Sequence, residues 1–570
     1  MSSGEDQVAE DRALITNAMS KGPVATLGAY VRLSGPGWLQ SAITLGGGSL
    51  AGALFLGILG GTSMLWLQLM AILMGVVMLS AISYVTLSTG ERPFRSINRH
   101  INPVLGWGWI IATVLANVIW CMAQFSLCFE ALQKNLLGPE VIKETDETKI
   151  MVSVVLLLAA GFAVFLNGAK GSAAKLFDWF LKALVGIIVV CFVGVVGLLA
   201  SKGVLNWNAI FSGFVPDVSQ GQQATGTIAE LIATMPQDAA DFWNRLIVSK
   251  QREVMIGAAA TAVGINMTFL MPYSMLRRGW DRNFRGLARF DLSTGMAIPY
   301  ILVTSCIVIA SAAQFHAKVD DAFLSSDPAE MQTSSLFNGA RANLAKRVGF
   351  DGDPNALPDD VLQQIAGLPD SEKTVASVLV PRTAFDLSKA IAPLLGERNA
   401  QLAFGLGIFG MGFSTIIILM LINGFAVCEL ANKPMGGLTQ FIGCLIAGLS
   451  GAMWWKFWAG TSKVYLIVVA SNFGMMLLPI AYITFFMMMN SRRILGDDKP
   501  TGIRAVVWNV LMGVSVIGAA IAAGVAISEK MVDPKAGPVV ITIAACFLVA
   551  VICGFVHKAQ SHSDTPEDNG

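Results

Sequence analysis

The sequence predicts an all-α integral membrane protein with about twelve transmembrane helices, in which five plus five helices form an inverted repeat. Three observations predict this class: long apolar runs, a Lys/Arg bias between alternate loops, and helix-breaking residues inside the first and sixth runs. Of the 570 residues, 54% are hydrophobic and 14% are charged, whereas soluble domains are about a quarter charged. Lipid is therefore the expected surrounding of most of the chain.

Twelve runs have about the length of a membrane-spanning helix, which is roughly 20 mainly apolar residues. They are 36–59, 62–87, 104–132, 150–168, 178–201, 254–276, 290–314, 401–428, 436–455, 463–489, 503–527 and 538–556. The loops after the second, fourth, sixth and tenth runs are rich in Lys and Arg, whereas the alternate loops are mixed or acidic. Loops with an excess of Lys and Arg face the cytoplasm. We therefore expect a protein of the plasma (inner) membrane with both termini in the cytoplasm.

These runs divide the chain into a core and several polar segments. The expected order is a cytoplasmic segment 1–33, a first repeat 34–201, an extracellular connection 202–253, a second repeat 254–314 and 382–489 interrupted by an extracellular insertion 315–381, two further helices in 490–556, and a cytoplasmic tail 557–570.

Composition also argues against several classes of function. All eight cysteines lie inside the apolar runs, and no CxxC or mixed Cys/His cluster occurs, so neither a zinc site nor a disulfide framework is expected. A net charge of +1 gives no reason to expect a nucleic-acid partner. The sequence contains no nucleophile elbow and no phosphate-binding loop, so we do not expect an enzyme.

Two runs contain predicted helix breaks. Gly46, Gly47 and Gly48 are consecutive in mid-span, which raises the entropic cost of helix formation and lets a ligand approach closely. In the sixth run Pro272 removes one backbone hydrogen bond, so we expect that helix to kink or unwind there. Paired broken helices indicate a transporter with inverted repeats. The alternative is that these residues serve helix packing alone.

Around these breaks the sequence resembles the Nramp (natural resistance-associated macrophage protein) divalent-metal transporters. The GPGWL segment from Gly35 to Leu39 is similar to the GPGFL start of the family's first helix, and Met271-Pro272 matches the family's Met-Pro-His. Weaker matches are APLLG at 392–396, Leu478-Pro479 and SRR at 491–493. The resemblance covers residues 34–314 and 382–527, and it implies a LeuT-like inverted repeat.

The residues that hold metal in the family do not carry over. The family's Asp-Pro-Gly-Asn motif falls on GGGS, so that Gly46 replaces the carboxylate ligand and Ser49 the amide ligand. Tyr273 stands where the family's histidine follows Met-Pro, and the acidic pair of the third helix falls near Ala123 and Ser126. A divalent cation needs carboxylate, carbonyl or imidazole donors. We therefore expect a divergent member without the family's metal site.

The expected solute site lies where the two breaks meet. Its candidate residues are Thr44, Gly46, Gly47, Gly48, Ser49, Met271, Tyr273 and Ser274. Ser414 and Thr415 match a hydroxyl pair that LeuT-like sodium-coupled transporters place against first-helix carbonyls, so they are candidates for a coupling-ion site. Such hydroxyls also bond commonly within their own helix. We expect no bound cofactor and either Na⁺ or H⁺ as the coupling ion.

Several other polar residues have two interpretations. The amides Gln40, Asn117, Gln124, Asn266 and Asn472 would line a polar pathway or bridge two helices. Glu130 lies at membrane depth but near the end of its span, where it reaches the interface. Arg277 and Arg278 end the sixth span and either set topology or contact an anionic solute.

Three functions remain open at this point. The first choice is an Nramp-like secondary active transporter that works by alternating access and moves a small polar or anionic solute, because the broken first helix without its carboxylate presents amide groups and a positive helix end. The second is a divalent-metal transporter (Mn, Fe or Mg type) with an altered site. The third is a non-transporting membrane sensor or receptor on the same fold. Apart from the lipid bilayer and this solute or ion, the sequence indicates no partner.

Overall fold

The computed structural model describes residues 4–168, 172–457, 463–531 and 537–563, and within these ranges it is helical with no β-strand. The N-terminal part contains α1 (Gly4–Lys21), α2 (Pro23–Leu33), α3 (Pro36–Thr44), α4 (Gly47–Gly60), α5 (Leu65–Thr89), α6 (Pro93–Ser96), α7 (Pro103–Ala131), α8 (Asp146–Gly168) and α9 (Ser172–Ser201). Two π-helical turns, Ile97–Ile101 and Leu132–Leu136, flank α7.

The middle of the chain leads from the first repeat into the second. It contains α10 (Trp207–Ser212), α11 (Gly226–Ala233), α12 (Gln237–Ala262), α13 (Ile265–Arg277), α14 (Arg285–Asp291) and α15 (Ile298–Phe315). Helix α12 begins inside the predicted 202–253 connection and continues into the sixth apolar run, so residue 253 is not a structural boundary. Short 3₁₀ turns, Val218–Gly221 and Arg282–Phe284, and a π-helical turn, Leu292–Ala297, complete this part.

The C-terminal part begins with the insertion and ends with two long helices. It contains α16 (Asp321–Leu324), α17 (Pro328–Met331), α18 (Ser335–Arg347), α19 (Asp359–Ala366), α20 (Asp370–Val378), α21 (Ala384–Leu395), α22 (Glu397–Leu430), α23 (Gly437–Ala452), α24 (Trp454–Phe457), α25 (Lys463–Asn490), α26 (Arg492–Leu495), α27 (Gly502–Met531) and α28 (Gly537–Ser563). A 3₁₀ turn, Gly496–Asp498, precedes α27.

The predicted count of twelve spans is not confirmed. In the described ranges nine helices are long and apolar enough to cross a membrane, or ten if the bent pair α3 and α4 is one span. The remaining two runs differ from ordinary spans for physical reasons. The run 254–276 is divided between α12 and α13, and α23 has only 16 residues, which is about 24 Å of helix.

The first predicted break is present, whereas the second lies elsewhere than predicted. Helices α3 and α4 meet at 52°. The break in the sixth run lies at Val263 and Gly264, which both adopt extended backbone conformations, and α13 continues through Pro272. The prediction that the helix unwinds at Pro272 was therefore wrong. Because the chain around Pro272 is buried, packing offsets the roughly 3 kcal/mol that a proline costs inside a helix.

The two polar stretches pack against each other and form one cap, which we define as residues 202–250 and 316–381. The indole N–H of Trp243 donates to Glu372 Oε2 at 2.7 Å, and Arg347 pairs with the same carboxylate at 2.7 Å. Lys373 donates to three backbone carbonyls within the insertion. We call the side of the protein that carries these residues the cap face, and the opposite side, where α1 and α2 lie, the terminal face.

Candidate functional site at the two helix breaks

The first membrane span, which consists of α3 and α4, is interrupted at Leu45 and Gly46. The Leu45 N–H closes α3 by donating to Ser41 O at 2.9 Å, and Gly46 then extends the chain before α4 begins. The Ser49 hydroxyl reaches back across the break and donates to the Thr44 carbonyl. One freed carbonyl of α3 is thus satisfied by a side chain from the first turn of α4, as a helix end inside a membrane requires.

The three glycines of this break are required by close packing. A Cβ atom on Gly46 would lie 2.6 Å from Thr415 Oγ1, one on Gly47 would lie 2.7 Å from Leu127, and one on Gly48 would lie 2.3 Å from Trp120. Gly47 also donates its N–H to Gln124 Oε1 at 3.0 Å. Helices α7 and α22, which supply these side chains, therefore approach the break closely on two sides.

The second break faces the first. The Gln40 amide donates to Met267 O at 3.2 Å, and the Thr44 hydroxyl lies 3.6 Å from Met267 Sδ. On the other side of the break, the Ser49 hydroxyl lies 3.4 Å from Thr261 O. These contacts join both half-helices of the first span to the residues on either side of Gly264.

A small cavity of about 30 Å³ lies between the breaks. It is lined by Ile43, Gly46, Gly48, Ser49, Ala116, Trp120, Thr261, Gly264, Ile265, Asn266, Met267, Thr415, Leu419 and Gly474. This lining offers backbone carbonyls and amides, hydroxyls, one side-chain amide and one thioether, but no ionisable side chain. Since one water needs roughly 10–15 Å³ by this measure, the cavity in this conformation has room for a single ion or about two waters.

The cavity includes only part of the predicted solute site. Gly46, Gly48 and Ser49 line it, while Thr44 and Gly47 lie at the break but bond to neighbouring side chains. Thr415 of the predicted coupling-ion pair also lines the cavity. Met271, Tyr273 and Ser274 are not in the lining. The physical reason is that α13 starts at Ile265, so its first turn meets the first break. Met267 occupies the position that the sequence analysis gave to Met271.

Tyr273 belongs instead to a buried aromatic cluster with Trp109, Phe269 and Phe485. Phe269 and Tyr273 stack with ring centroids 4.2 Å apart, and Trp109 contacts Phe269 at 4.9 Å and Phe485 at 5.3 Å. The Trp109 indole donates to Thr268 Oγ1 at 2.9 Å. The cluster joins α7, α13 and α25 and separates the cavity from the terminal face.

Ser414 and Thr415, the predicted coupling-ion residues, contact a backbone carbonyl of α3. Both hydroxyls lie within hydrogen-bond distance of Ala42 O, at 2.8 and 3.2 Å. Each also bonds to Met411 O one turn earlier in α22, at 3.3 and 2.8 Å. Four oxygens from two helices therefore meet beside the first break.

Asp291 is a buried residue beside the first span that the sequence analysis did not single out. Its carboxylate is fully buried and accepts the N–H groups of Gly35 at 3.0 Å and Gly37 at 2.6 Å as well as the Ser34 hydroxyl. A Cβ on Gly37 would lie 2.2 Å from the Asp291 carbonyl oxygen. The one signal in the sequence was an acidic residue at the start of an apolar run. Asp291 caps the N-terminus of α3 and closes the terminal face.

The other polar candidates mainly join helices. Asn117 donates to Asn423 at 2.9 Å, and Glu130 pairs with Lys134 one turn later at 2.9 Å. Arg278 pairs with Asp178 at 2.9 Å. These contacts favour the bridging and interface interpretations over a polar pathway.

Three further candidates complete this set. Arg277 bonds to Asn167 on α8. Asn266 lines the cavity, and the side chain of Asn472 lies outside the described residues. Among the described side chains, no group of three or more His, Cys, Asp or Glu residues could hold a metal ion.

The comparison with known families gives one match over most of the chain. The model of the Natural resistance-associated macrophage protein-like family matches residues 37–344 and 371–555. The match extends beyond the predicted 34–314 and 382–527, and it includes much of the insertion that the prediction placed outside. None of the curated proteins matches the chain.

Solved structures give the same result for the fold. The Eremococcus coleocola manganese transporter in complex with an aromatic bis-isothiourea substituted compound has a TM-score of 0.59 and 14% sequence identity, over 93% of each chain. A structure of a single-residue mutant of the same transporter has the same TM-score and coverage at 13% identity. The predicted LeuT-like inverted repeat with broken first and sixth helices is confirmed at this level.

Proposed function

We propose, given that this chain belongs to the Natural resistance-associated macrophage protein-like family of membrane transporters, that it is a secondary active transporter working by alternating access. The solute would bind in the cavity between the two helix breaks. Because the aromatic cluster and the Asp291 cap close the terminal face, opening on that side requires α3 and α13 to move away from α7 and α9.

The proposed cargo is a small polar or anionic solute. The observation that carries this proposal is that none of the fourteen lining residues is ionisable. Helices α4 and α13 both begin at the cavity, at Gly47 and Ile265, and the amide ends of helices favour negative or strongly polar groups. A divalent cation in a site without carboxylates would lose its hydration with little compensation.

A second candidate is a divalent metal ion. The fold is shared with a protein described as a manganese transporter, and Met267, Asn266 and the carbonyls of the breaks are neutral donors. The size of the cavity also suits a single ion. A non-transporting sensor on the same fold is the third candidate, with the cap as its interaction part.

Ser414 and Thr415 are the proposed coupling-ion residues. Two hydroxyls with Ala42 O and Met411 O make a set of four neutral oxygens, which suits Na⁺ better than a divalent cation because it adds no compensating negative charge. Proton coupling is the alternative. We also propose the plasma (inner) membrane as the location, with both termini in the cytoplasm.

The test is uptake by the purified full chain in proteoliposomes under Na⁺ and pH gradients. Panels of small anions, small neutral solutes and Mn²⁺ would be compared with liposomes without protein. Gradient-driven uptake of an anion or neutral solute, reduced by Met267→Ala, supports the proposal. Uptake of Mn²⁺ alone favours the second candidate, and no uptake of any panel member favours the sensor.

A further inference from the structure

A second, larger cavity of about 560 Å³ lies at the cap face, and its lining is distinct from that of the cavity between the breaks. The ends of three membrane helices border it, at Gly60, at Val204 just after α9, and at His316 just after α15. Its position is therefore the boundary between the bilayer and the cap. Its volume lies in the range of small-molecule sites, about 300–1,000 Å³.

The roof of this cavity is the segment 206–220, which is pinned at two points. Trp66 donates its backbone N–H to Gly213 O at 2.8 Å, and the Thr62 hydroxyl donates to Ala209 O at 3.1 Å. At the other end, the Gln220 side chain accepts from the Trp66 indole at 3.1 Å. These hydrogen bonds hold segment 206–220 against residues 62–66, so the cavity has a fixed roof.

The segment that roofs the cavity carries exposed apolar and aromatic residues, of which Val215 lines the cavity and Trp207 and Phe211 do not. Trp207 and Phe211 of the roof stack on one another with ring centroids 6.2 Å apart, yet they are 49% and 67% exposed. Val215 beside them is 66% exposed. Exposed tryptophan at the end of membrane helices is typical of the lipid headgroup region, and inside the cavity Ile210 and Ile309 continue this apolar surface.

The polar part of the lining accepts hydrogen bonds and carries one negative charge. Asp217 is the one acidic residue in the lining, which contains no Lys or Arg. Its Oδ1 takes both local hydrogen bonds, from the N–H and hydroxyl of Ser219, which leaves Oδ2 for another cationic or donor group.

The ring of His316 adds a second acceptor. Its Nδ1 lies 2.9 Å from Ile58 O, and since a carbonyl only accepts, Nδ1 carries the proton. Burial lowers the pKa of His316, so the ring is neutral at pH 7 and Nε2 is an acceptor.

We propose that this cavity binds one phospholipid with a primary-amine headgroup, of the phosphatidylethanolamine class, from the leaflet on the cap face. The ammonium group meets the acceptors Asp217 and His316, and an acyl chain follows Ile210 and Ile309 towards the exposed Val215. An anionic lipid is disfavoured because no cation lines the cavity and Asp217 repels it. A lipid held here contacts the outer end of α4, the half-helix that begins at the central cavity.

The test is lipid retention by the full chain purified in detergent, measured by native mass spectrometry after exchange with phosphatidylethanolamine, phosphatidylcholine or phosphatidylglycerol. We expect phosphatidylethanolamine to be retained preferentially. Asp217→Asn keeps the capping oxygen but loses the charge, and should lower this retention by about two- to fivefold, as the loss of a partly exposed ion pair does. Ala313→Trp should fill the cavity and abolish retention, whereas Ala159→Trp on the lipid-facing side of α8 should not.

Thermal unfolding of the same proteins with each lipid gives a second measurement, in which only phosphatidylethanolamine should raise the Tm of the wild type. Equal retention of the three lipids, or an unchanged preference in Asp217→Asn, would overturn the proposal. An equal rise in Tm with soluble glycerophosphoethanolamine would also overturn it, because the site would then recognise a free amine rather than a lipid. None of these outcomes depends on the cargo of the central cavity.

Discussion

Asp291 Oδ2 accepts the backbone N–H of Gly37 at 2.6 Å, and this contact joins the first turn of α3 to the end of α14. The same carboxylate holds Gly35 and Ser34. A buried carboxylate that accepts several amide bonds neutralises the positive end of α3. The Gly-Pro-Gly segment is therefore part of the closure of the terminal face, and the solute site lies one half-helix away.

Asp291→Ala should destabilise this closed conformation. It leaves two amides and one hydroxyl without their acceptor, at a cost of about 3 kcal/mol for hydrogen bonds to a charged group. We expect a lower Tm and faster labelling of Ser274→Cys in a background without native cysteines. Asp353→Ala in the exposed part of the insertion is the control. A Tm and a labelling rate like those of the control would show that the Asp291 carboxylate does not hold the closed state.

Gly48→Val tests whether the glycines serve packing. If these glycines only let a ligand approach closely, a side chain at Gly47 or Gly48 would block transport while folding stayed normal. The contact of 2.3 Å between a Gly48 Cβ and Trp120 predicts instead that Gly48→Val lowers the free energy of unfolding by roughly 1–3 kcal/mol, as is typical of overpacking. The Tm should fall accordingly.

Trp120→Ala removes the clashing ring, so the Gly48→Val/Trp120→Ala double variant should recover part of the stability lost. Thermal unfolding of the four proteins of this cycle gives the coupling energy directly. Additive losses would mean that Gly48 does not pack against Trp120. A stable Gly48→Val variant that fails to transport would instead show that Gly48 serves close approach of a ligand.

The topology prediction concerns the cap. From the Lys/Arg bias we expect residues 315–400 to lie outside and both termini to lie in the cytoplasm. A cysteine introduced at Asp353 in a cysteine-free background should react with a membrane-impermeant reagent on intact cells, whereas one at Ser20 should react only after permeabilisation. The reverse pattern would invert the orientation.

The sequence predicted the elements that depend on local signals. Consecutive glycines marked the first break, and apolar runs of about 20 residues marked most of the spans. The second break was misplaced because Pro272 is the stronger local signal, whereas the observed break at Val263 and Gly264 is selected by its contacts with the first helix. Met267 was missed for the same reason.

Long-range pairs were beyond prediction from one sequence. Trp243 and Glu372 are 129 residues apart and come from two stretches that were predicted as separate segments. Asp291 and Gly37 are 254 residues apart. Such pairs are set by how the two repeats pack together, and no periodicity or turn signal in either segment specifies its partner.

The central claim is that the cavity between the breaks has lost the donors that a divalent metal requires. Calorimetric titration of the purified full chain with Mn²⁺ tests it most directly, with Met267→Ala as the matched variant. The account predicts no binding in the micromolar range by either protein, because neutral oxygens and one thioether do not replace the hydration of the ion. Micromolar binding by the wild type that Met267→Ala abolishes would contradict it and would make this chain a metal transporter with an altered site.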